Sequence, residues 1–455
     1  MALELLTGRK GFMKRYRLLL AFFLVFAMIA AACGDGDADG TTTAAGGDGD
    51  QPFAGTEVRI FGAFVSPEQE AWEASIAPFE AETGIDIIYE GSADFETEIT
   101  IRVEGGNQPD IAVFPQPGLA ARFGDQFVDL TTMGYSQADV EGAFGAYLTS
   151  LVDVGKEGVY TGWLKANSKS LIWYPVPEFE EAGYVVPTTW DELIALSDQM
   201  VADGRTPWCF GMESSGGTGW VATDWMEDIM LRIGEGAAGY DKWVAHEIPF
   251  NDPIVKRAGE LLGEIAFTDG YVFGGTNGIL SIPYGEAQTP MFDDPPSCWL
   301  HRQGSFITSF FPDGTAAGTD SAAFAFPTID EGLPGASLGG GDVWGVFEDR
   351  PEVREVVGLL LSPEVGNIWA QQDPGFLSPH AQFDTSNYND EIQKATGEAI
   401  KAAVAGGGFR FDGSDSMPGE VGTGTFFTGM VEYIQDGPDS LDKVLTDIED
   451  SWPSS

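Results

Sequence analysis

Between residues 57 and 114, short apolar runs alternate with capped amphipathic stretches, and no other feature of this 455-residue chain restricts its fold as strongly. Glu57 to Phe61, Ile85 to Tyr89 and Asp110 to Phe114 read as strands. Between the first two, Ser66-Pro67-Glu68-Gln69 predicts a helix start, with Ser66 as N-cap and Gln69 completing a capping box. Trp72, Ile76 and Phe79 keep helical spacing, and Gly84 closes the helix. A further helical stretch, Phe95 to Val103, separates the second and third strands. Strands joined through helices pair in parallel, so this is an α/β chain whose ligands lie beyond the carboxyl ends of its strands.

The pattern continues further along. Ser170 to Tyr174 reads as a strand, and Thr189-Trp190-Asp191-Glu192 as a capping box for a helix with Leu193, Leu196 and Met200 on one face and Gly204 beyond its end. Helices are predicted at Thr223 to Arg232 and Pro253 to Ile265. Ala322 to Pro327 and Val343 to Phe347 read as strands around a flexible Leu338-Gly339-Gly340-Gly341, and Asn389 to Ala405, Thr425 to Gln435 and Ser440 to Trp452 as helices. No solenoid repeat is visible. Hydrophobic residues at 43 % and aromatics at 12 % suffice for large cores, and the length suggests at least two compact units.

Upstream of the first strand lies a leader. Arg9, Lys10, Lys14, Arg15 and Arg17 precede the uncharged run Leu18 to Ala32, whose 15 residues suit a signal-peptide core better than a membrane span of about 20. Either Met1 or Met13 serves as the start. The run ends at Ala30-Ala31-Ala32-Cys33-Gly34, which resembles a bacterial lipobox in which Cys33 is lipidated; a plain secretory signal is the other reading. Gly34 to Pro52 lacks large apolar side chains and reads as a flexible tether with a typical reach of about 25 Å. In an oxidising compartment the two remaining cysteines, Cys209 and Cys298, form one disulfide or stay as separate buried thiols.

Charge removes whole classes of function. The chain carries 71 Asp and Glu against 23 Lys and Arg, a net charge of −48, which repels phosphate backbones and makes nucleic-acid binding untenable. Its three histidines and three cysteines are scattered without zinc spacing, so no metal site is expected. No nucleophile elbow, zinc-protease helix or phosphate loop is present, and no catalytic residue or cofactor is assigned. So many carboxylates deprive any single acidic pair of meaning; most belong to a solvated face, which also suits a saline habitat. The aromatics say more. Tyr160, Trp163, Trp173, Tyr174, Trp208, Trp220, Trp225, Trp299 and Trp344 lie in Gly-rich, polar stretches. A sugar needs flat aromatic platforms for its C–H faces and polar side chains for its hydroxyls, although interior packing is the alternative role of any one tryptophan.

Phe79-Glu80-Ala81-Glu82-Thr83-Gly84, Gln108-Pro109-Asp110-Ile111-Ala112 and Pro187-Thr188-Thr189-Trp190-Asp191-Glu192-Leu193 occur in this order, followed by the stretch Trp208 to Glu227, then Ile248-Pro249-Phe250-Asn251-Asp252-Pro253 and Cys298-Trp299-Leu300-His301-Arg302-Gln303. Together they make residues 57 to 452 resemble the extracellular sugar-binding lipoproteins of ABC import systems, in the maltose- and α-glucoside-binding branch. The resemblance implies a two-lobed periplasmic-binding-protein-like fold of the class with three hinge crossings, a sugar cleft between the lobes, and a lipid-anchored, extracytoplasmic chain that hands a carbohydrate to membrane permease subunits. The implied division is a signal peptide over 1–32, the lipidated Cys33 and tether over 33–52, a first lobe over 53–165 and 321–372, and a second over 166–320 and 373–455. Crossings are expected near 160 to 167, 318 to 326 and 370 to 376.

By the same resemblance, sugar hydroxyls meet the loops Phe64 to Ser66, Gly91 to Asp94 and Phe114 to Gly118, which puts Phe64, Ser92, Asp94 and Gln116 in the site. Asn167 stands where maltose binders often carry Glu, Trp299 where the family commonly places a stacking tryptophan, and Phe426 near another aromatic platform. Loop placement and chemistry add Trp220, Asp224, Trp225, Gly341, Asp342 and Trp344. Two rival functions share these features: a secreted glycoside hydrolase, and the same clamp closing on a polyamine.

Overall fold

In the computed structural model, which describes residues 51–453, nine strands are found. They are β1 (Thr56–Gly62), β2 (Ile85–Gly91), β3 (Ile111–Phe114), β4 (Thr161–Ser168), β5 (Leu171–Pro175), β6 (His301–Arg302), β7 (Ser321–Ala325), β8 (Ser337–Val346) and β9 (Phe409–Phe411). The first sheet runs β2-β1-β3-β8-β4, with β9 added parallel to β8; β1 pairs in parallel with both β2 and β3, as the helical connections require. Strand β8 lies antiparallel between β3 and β4. A second sheet of three strands runs β6-β5-β7.

Each sheet belongs to its own apolar core. The first is built from residues between Val58 and Ala166 and between Val343 and Phe411. The second takes residues between Ile172 and Phe326, then Leu338, then Met417 to Ile448. The chain therefore crosses between halves at about 168–171, 326–337 and 411–417. These positions correct the expected ones. Residues 161–168 are all buried in β4, so the first crossing comes later. Phe376, Leu377, Phe383 and Ile400 pack in the first core, and β9 is hydrogen-bonded to β8, which holds residues 373–411 in the first half.

Local signals succeed and fail for visible reasons. Thr189 and Glu192 form both arms of the predicted capping box on the helix Trp190–Ala202, whose Leu193, Leu196 and Met200 are buried. Ser66 does not cap: the helix runs Glu68–Thr83 from Pro67, and the Ser66 hydroxyl donates instead to the Glu70 carboxylate at 2.7 Å. Leu338 to Gly341 is no flexible turn but the interior of β8. Its glycines serve close approach, because a Cβ on Gly340 would sit 2.8 Å from Cε of Lys169. Cys209 and Cys298 form the disulfide, buried beside Trp173, Met291 and Ile307. Among the described residues no helix is long and apolar enough to cross a membrane. The expected signal peptide, the expected lipidation site Cys33 and the expected tether up to residue 50 lie outside the described residues.

Candidate functional site

A cleft of about 880 Å³, partly open to solvent, separates the two halves at the carboxyl ends of β1, β2 and β3. The first half contributes Ala63, Phe64, Val65 and Glu68 after β1, Ser92, Ala93 and Glu96 after β2, Pro115 and Gln116 after β3, Lys165 and Asn167 on β4, and Gly341 and Asp342 on β8. Facing them are Lys169 on the first crossing, Ser214, Gly217, Trp220, Tyr284, Phe306 and Phe427 of the second half, and Asp415 of the third crossing. Parallel strands end together, so three loops distant in sequence meet at one edge.

The walls are electrostatically self-sufficient. Lys165 donates to Glu68 and lies 3.5 Å from Asp342. Burial raises the Glu68 carboxyl to about 7 despite the opposing charge of Lys165, and burial likewise raises Asp342. Burial alone would lower Lys165, but Glu68 and Asp342 outweigh it and hold the ammonium above its ordinary range. Glu96 accepts the Gln116 amide at 2.9 Å and is raised by burial. Lys169 is held up against the cost of burial by Asp224 at 3.1 Å, Asp412 at 2.5 Å and Asp415 at 3.9 Å.

What the walls leave unpaired is neutral. The buried Oε1 of Gln116 and Oδ1 of Asn167 have no hydrogen-bond partner among the described residues. Trp220 is only partly buried and shares an aromatic corner with Tyr284, at 5.1 Å between ring centroids, and Phe306, at 6.0 Å. The arrangement offers an apolar plate and hydrogen-bond acceptors, with both lining lysines paired to carboxylates. That combination fits a neutral polyhydroxylated ring.

Of the residues singled out in the sequence, Phe64, Ser92, Gln116, Asn167, Trp220, Gly341 and Asp342 are brought together in this cleft. Six others lie elsewhere. Asp94 precedes the helix Phe95–Glu104 and stands against Gly216 of the second half, beside the lining rather than in it. Asp224 is fully buried behind Lys169, held also by Arg302 at 3.0 Å. Trp225 is enclosed by Trp208, Phe210 and Phe326. Trp299 is 3 % exposed, with Tyr184 edge-on to its ring and the Arg205 guanidinium 4.3 Å above it. Trp344 is buried in the first core, its indole N–H on the Trp163 carbonyl. Phe426 packs against Trp243 and Phe250; its neighbour Phe427 reaches the cleft.

Sequence reasoning missed Glu68, Glu96, Lys165, Lys169, Tyr284, Phe306, Asp415 and Phe427. A signal for one of them, Lys169, was present. The helix Trp220–Met230 is buried over nearly its whole length yet carries Asp224, Glu227 and Asp228 at helical spacing. Such a stripe demands buried cations, and these are Lys169, Arg302 and Arg232, while Glu227 also accepts the backbone N–H groups of Gly413 and Ser414.

Comparison with known proteins places the architecture. Residues 65–367 match the family model described as bacterial extracellular solute-binding protein. The osmoprotective compounds-binding protein GgtB of Synechocystis sp. is 43 % identical over 401 residues, which cover 87 % of this chain and 92 % of that protein. The alpha-glucosides-binding periplasmic protein AglE of Rhizobium meliloti is 37 % identical over 409 residues, covering 88 % of each. Among solved structures, the bacterial solute receptor AcbH, described as exclusively preferring β-D-galactopyranose, superposes with a TM-score of 0.73 at 18 % identity, covering 87 % of this chain and 98 % of that one. RafE in complex with raffinose superposes at 0.67 and 19 %, over 87 % of this chain and 98 % of that one. These structures share its periplasmic-binding-protein-like fold. With two cores, a cleft at the strand ends and a family match over most of its length, the chain belongs to the bacterial extracellular solute-binding proteins, the solute-capturing components of ABC transporters.

Proposed function

We propose that this chain captures a neutral α-glucoside, of disaccharide size or close to it, and delivers it unchanged to the permease of an ABC importer, held at the membrane through a lipid on Cys33. The observation that carries the cargo is the pairing, in one cleft, of the partly exposed Trp220 ring with the partnerless amide oxygens of Gln116 and Asn167. A sugar ring lays its C–H face on the indole and donates hydroxyl protons to those oxygens. The names of the relatives GgtB and AglE, one for osmoprotective compounds and one for α-glucosides, support this class of cargo.

The charges argue against a polyamine. Glu68 and Asp342 already face Lys165 and Asp415 faces Lys169, so of these cleft carboxylates Glu96, on the neutral Gln116 amide, is the one left without an ammonium, where a polyamine needs several. Binding follows from contacts that both halves make with one ligand, which favours the closed arrangement over the open one.

Calorimetry and thermal shift with trehalose, sucrose, maltose, glucose and spermidine test the reading, because a bound ligand raises apparent stability. We expect at least one disaccharide to bind, and Trp220→Ala to weaken it by about 2 kcal/mol, roughly thirtyfold. Stabilisation by spermidine alone overturns the cargo; release of reducing sugar on prolonged incubation favours the hydrolase instead.

A further inference from the structure

The first crossing carries a lysine whose side chain meets the third and whose backbone bonds to the strand that follows the second. Lys169 follows β4 directly, and its backbone N–H donates to the Leu338 carbonyl at 2.8 Å, just beyond the second crossing. Its Nζ lies 2.5 Å from Oδ2 of Asp412 and 3.9 Å from Oδ2 of Asp415, both on the third. The same ammonium is 3.1 Å from Oδ1 of Asp224 and 5.3 Å from the Trp220 ring, which stand one turn apart on the helix Trp220–Met230. Lys169 also lines the cleft. Its stem runs close over Gly340, where a Cβ would stand 2.8 Å from Cε.

We propose that Lys169 is a positioning residue that sets the angle between the two halves and ties cleft occupancy to closure. Any rotation of the halves acts through the crossings, so it displaces residues 168–171 relative to 411–417. The Lys169–Asp412 pair joins those two segments directly, and buried ion pairs respond steeply to separation. A ring lying on Trp220 excludes water from the ammonium, strengthens its bonds to Asp412 and Asp224, and so favours the arrangement in which they are short. Arg350 provides the contrast. It bonds Asp110 and Glu352 within the first half, and none of the three lies on a crossing.

The identity of the cargo rests on the function proposed above; the role at the crossings does not, and the experiment separates the two. Nitroxide labels are placed at Glu82→Cys in the first half and Asp269→Cys in the second, in the mature chain carrying Cys33→Ser, and the distance distribution is measured by pulsed electron resonance. Without cargo, Lys169→Met and Asp412→Asn shift the distribution to longer distances, Lys169→Arg keeps that of the parent, and Arg350→Met, which loses ion pairs held within the first half, also keeps it. With trehalose, or whichever disaccharide the calorimetry selects, K169M binds about tenfold or more weakly, the size of a typical coupling between sites. If K169M does not fold, D412N carries the cargo-free arm. A parental distribution in both variants, or an equal shift in R350M, overturns the proposal. Failure of every sugar to act on the parent chain sinks the cargo alone, while the cargo-free arm still decides Lys169.

Discussion

Glu68 should make this protein less stable as the pH rises through neutrality. The carboxyl is buried in the cleft wall, and desolvation outweighs the nearby Lys165 charge, so the folded chain keeps its proton up to about pH 7. In the unfolded chain the same group lets go near 4.5. Because the folded state binds this proton more tightly, the stability it confers is complete below pH 4.5 and is lost as the pH climbs through 7. At 1.36 kcal/mol per unit, the loss is about 3 kcal/mol. Glu68→Gln fills nearly the same space and cannot titrate. Urea unfolding of both proteins, followed by tryptophan fluorescence from pH 4.5 to 8, gives a difference curve in which every other carboxylate cancels. The curve should move by about 3 kcal/mol in favour of the variant as the pH rises. A curve flat to within about 1 kcal/mol would refute the reasoning. The Lys165 ammonium would then have won, and Glu68 would be ionised throughout.

Other perturbations reach other parts of the molecule. Trp299→Ala removes a core ring and should cost about 3–5 kcal/mol of unfolding free energy while leaving disaccharide affinity unchanged; a selective loss of affinity by calorimetry would bring Trp299 into the site. Replacing Cys209 and Cys298 together by Ala opens a link across 89 residues and should cost about 4–5 kcal/mol, read from denaturant midpoints, with reduction of the parent giving a similar loss. The large acidic excess predicts a melting temperature that rises from 0.05 to 1 M NaCl as like-charge repulsion is screened; a flat or falling trend would show that surface repulsion is not limiting.

The strands at 57–61, 85–89 and 110–114 were legible because β3 is buried throughout and reads as a continuous apolar run while β2 alternates buried and exposed positions, and the cap at Thr189 because it needs only four residues. The loops after those strands were legible as cleft walls for the same reason: parallel strands deliver their carboxyl ends to one edge. The large aromatics were not. Trp299, Trp225 and Trp344 have the composition of a sugar platform and the surroundings of a core, and only Trp220, at the end of its helix, keeps part of its ring in the cleft.

The sequence by itself determined the α/β class, the parallel pairing of the first strands, the excess of negative charge and the two cysteines available to the body. These follow from period, composition and count, which are properties of neighbours along the chain. Tertiary structure alone decided that Lys165 faces Glu68, that Lys169 joins the crossings, that residues 373–411 return to the first half, and which ring borders the cleft. The Lys169–Asp412 pair alone desolvates together two groups 243 residues apart, and the free energy of burying a charge is set by what surrounds it rather than by what precedes it.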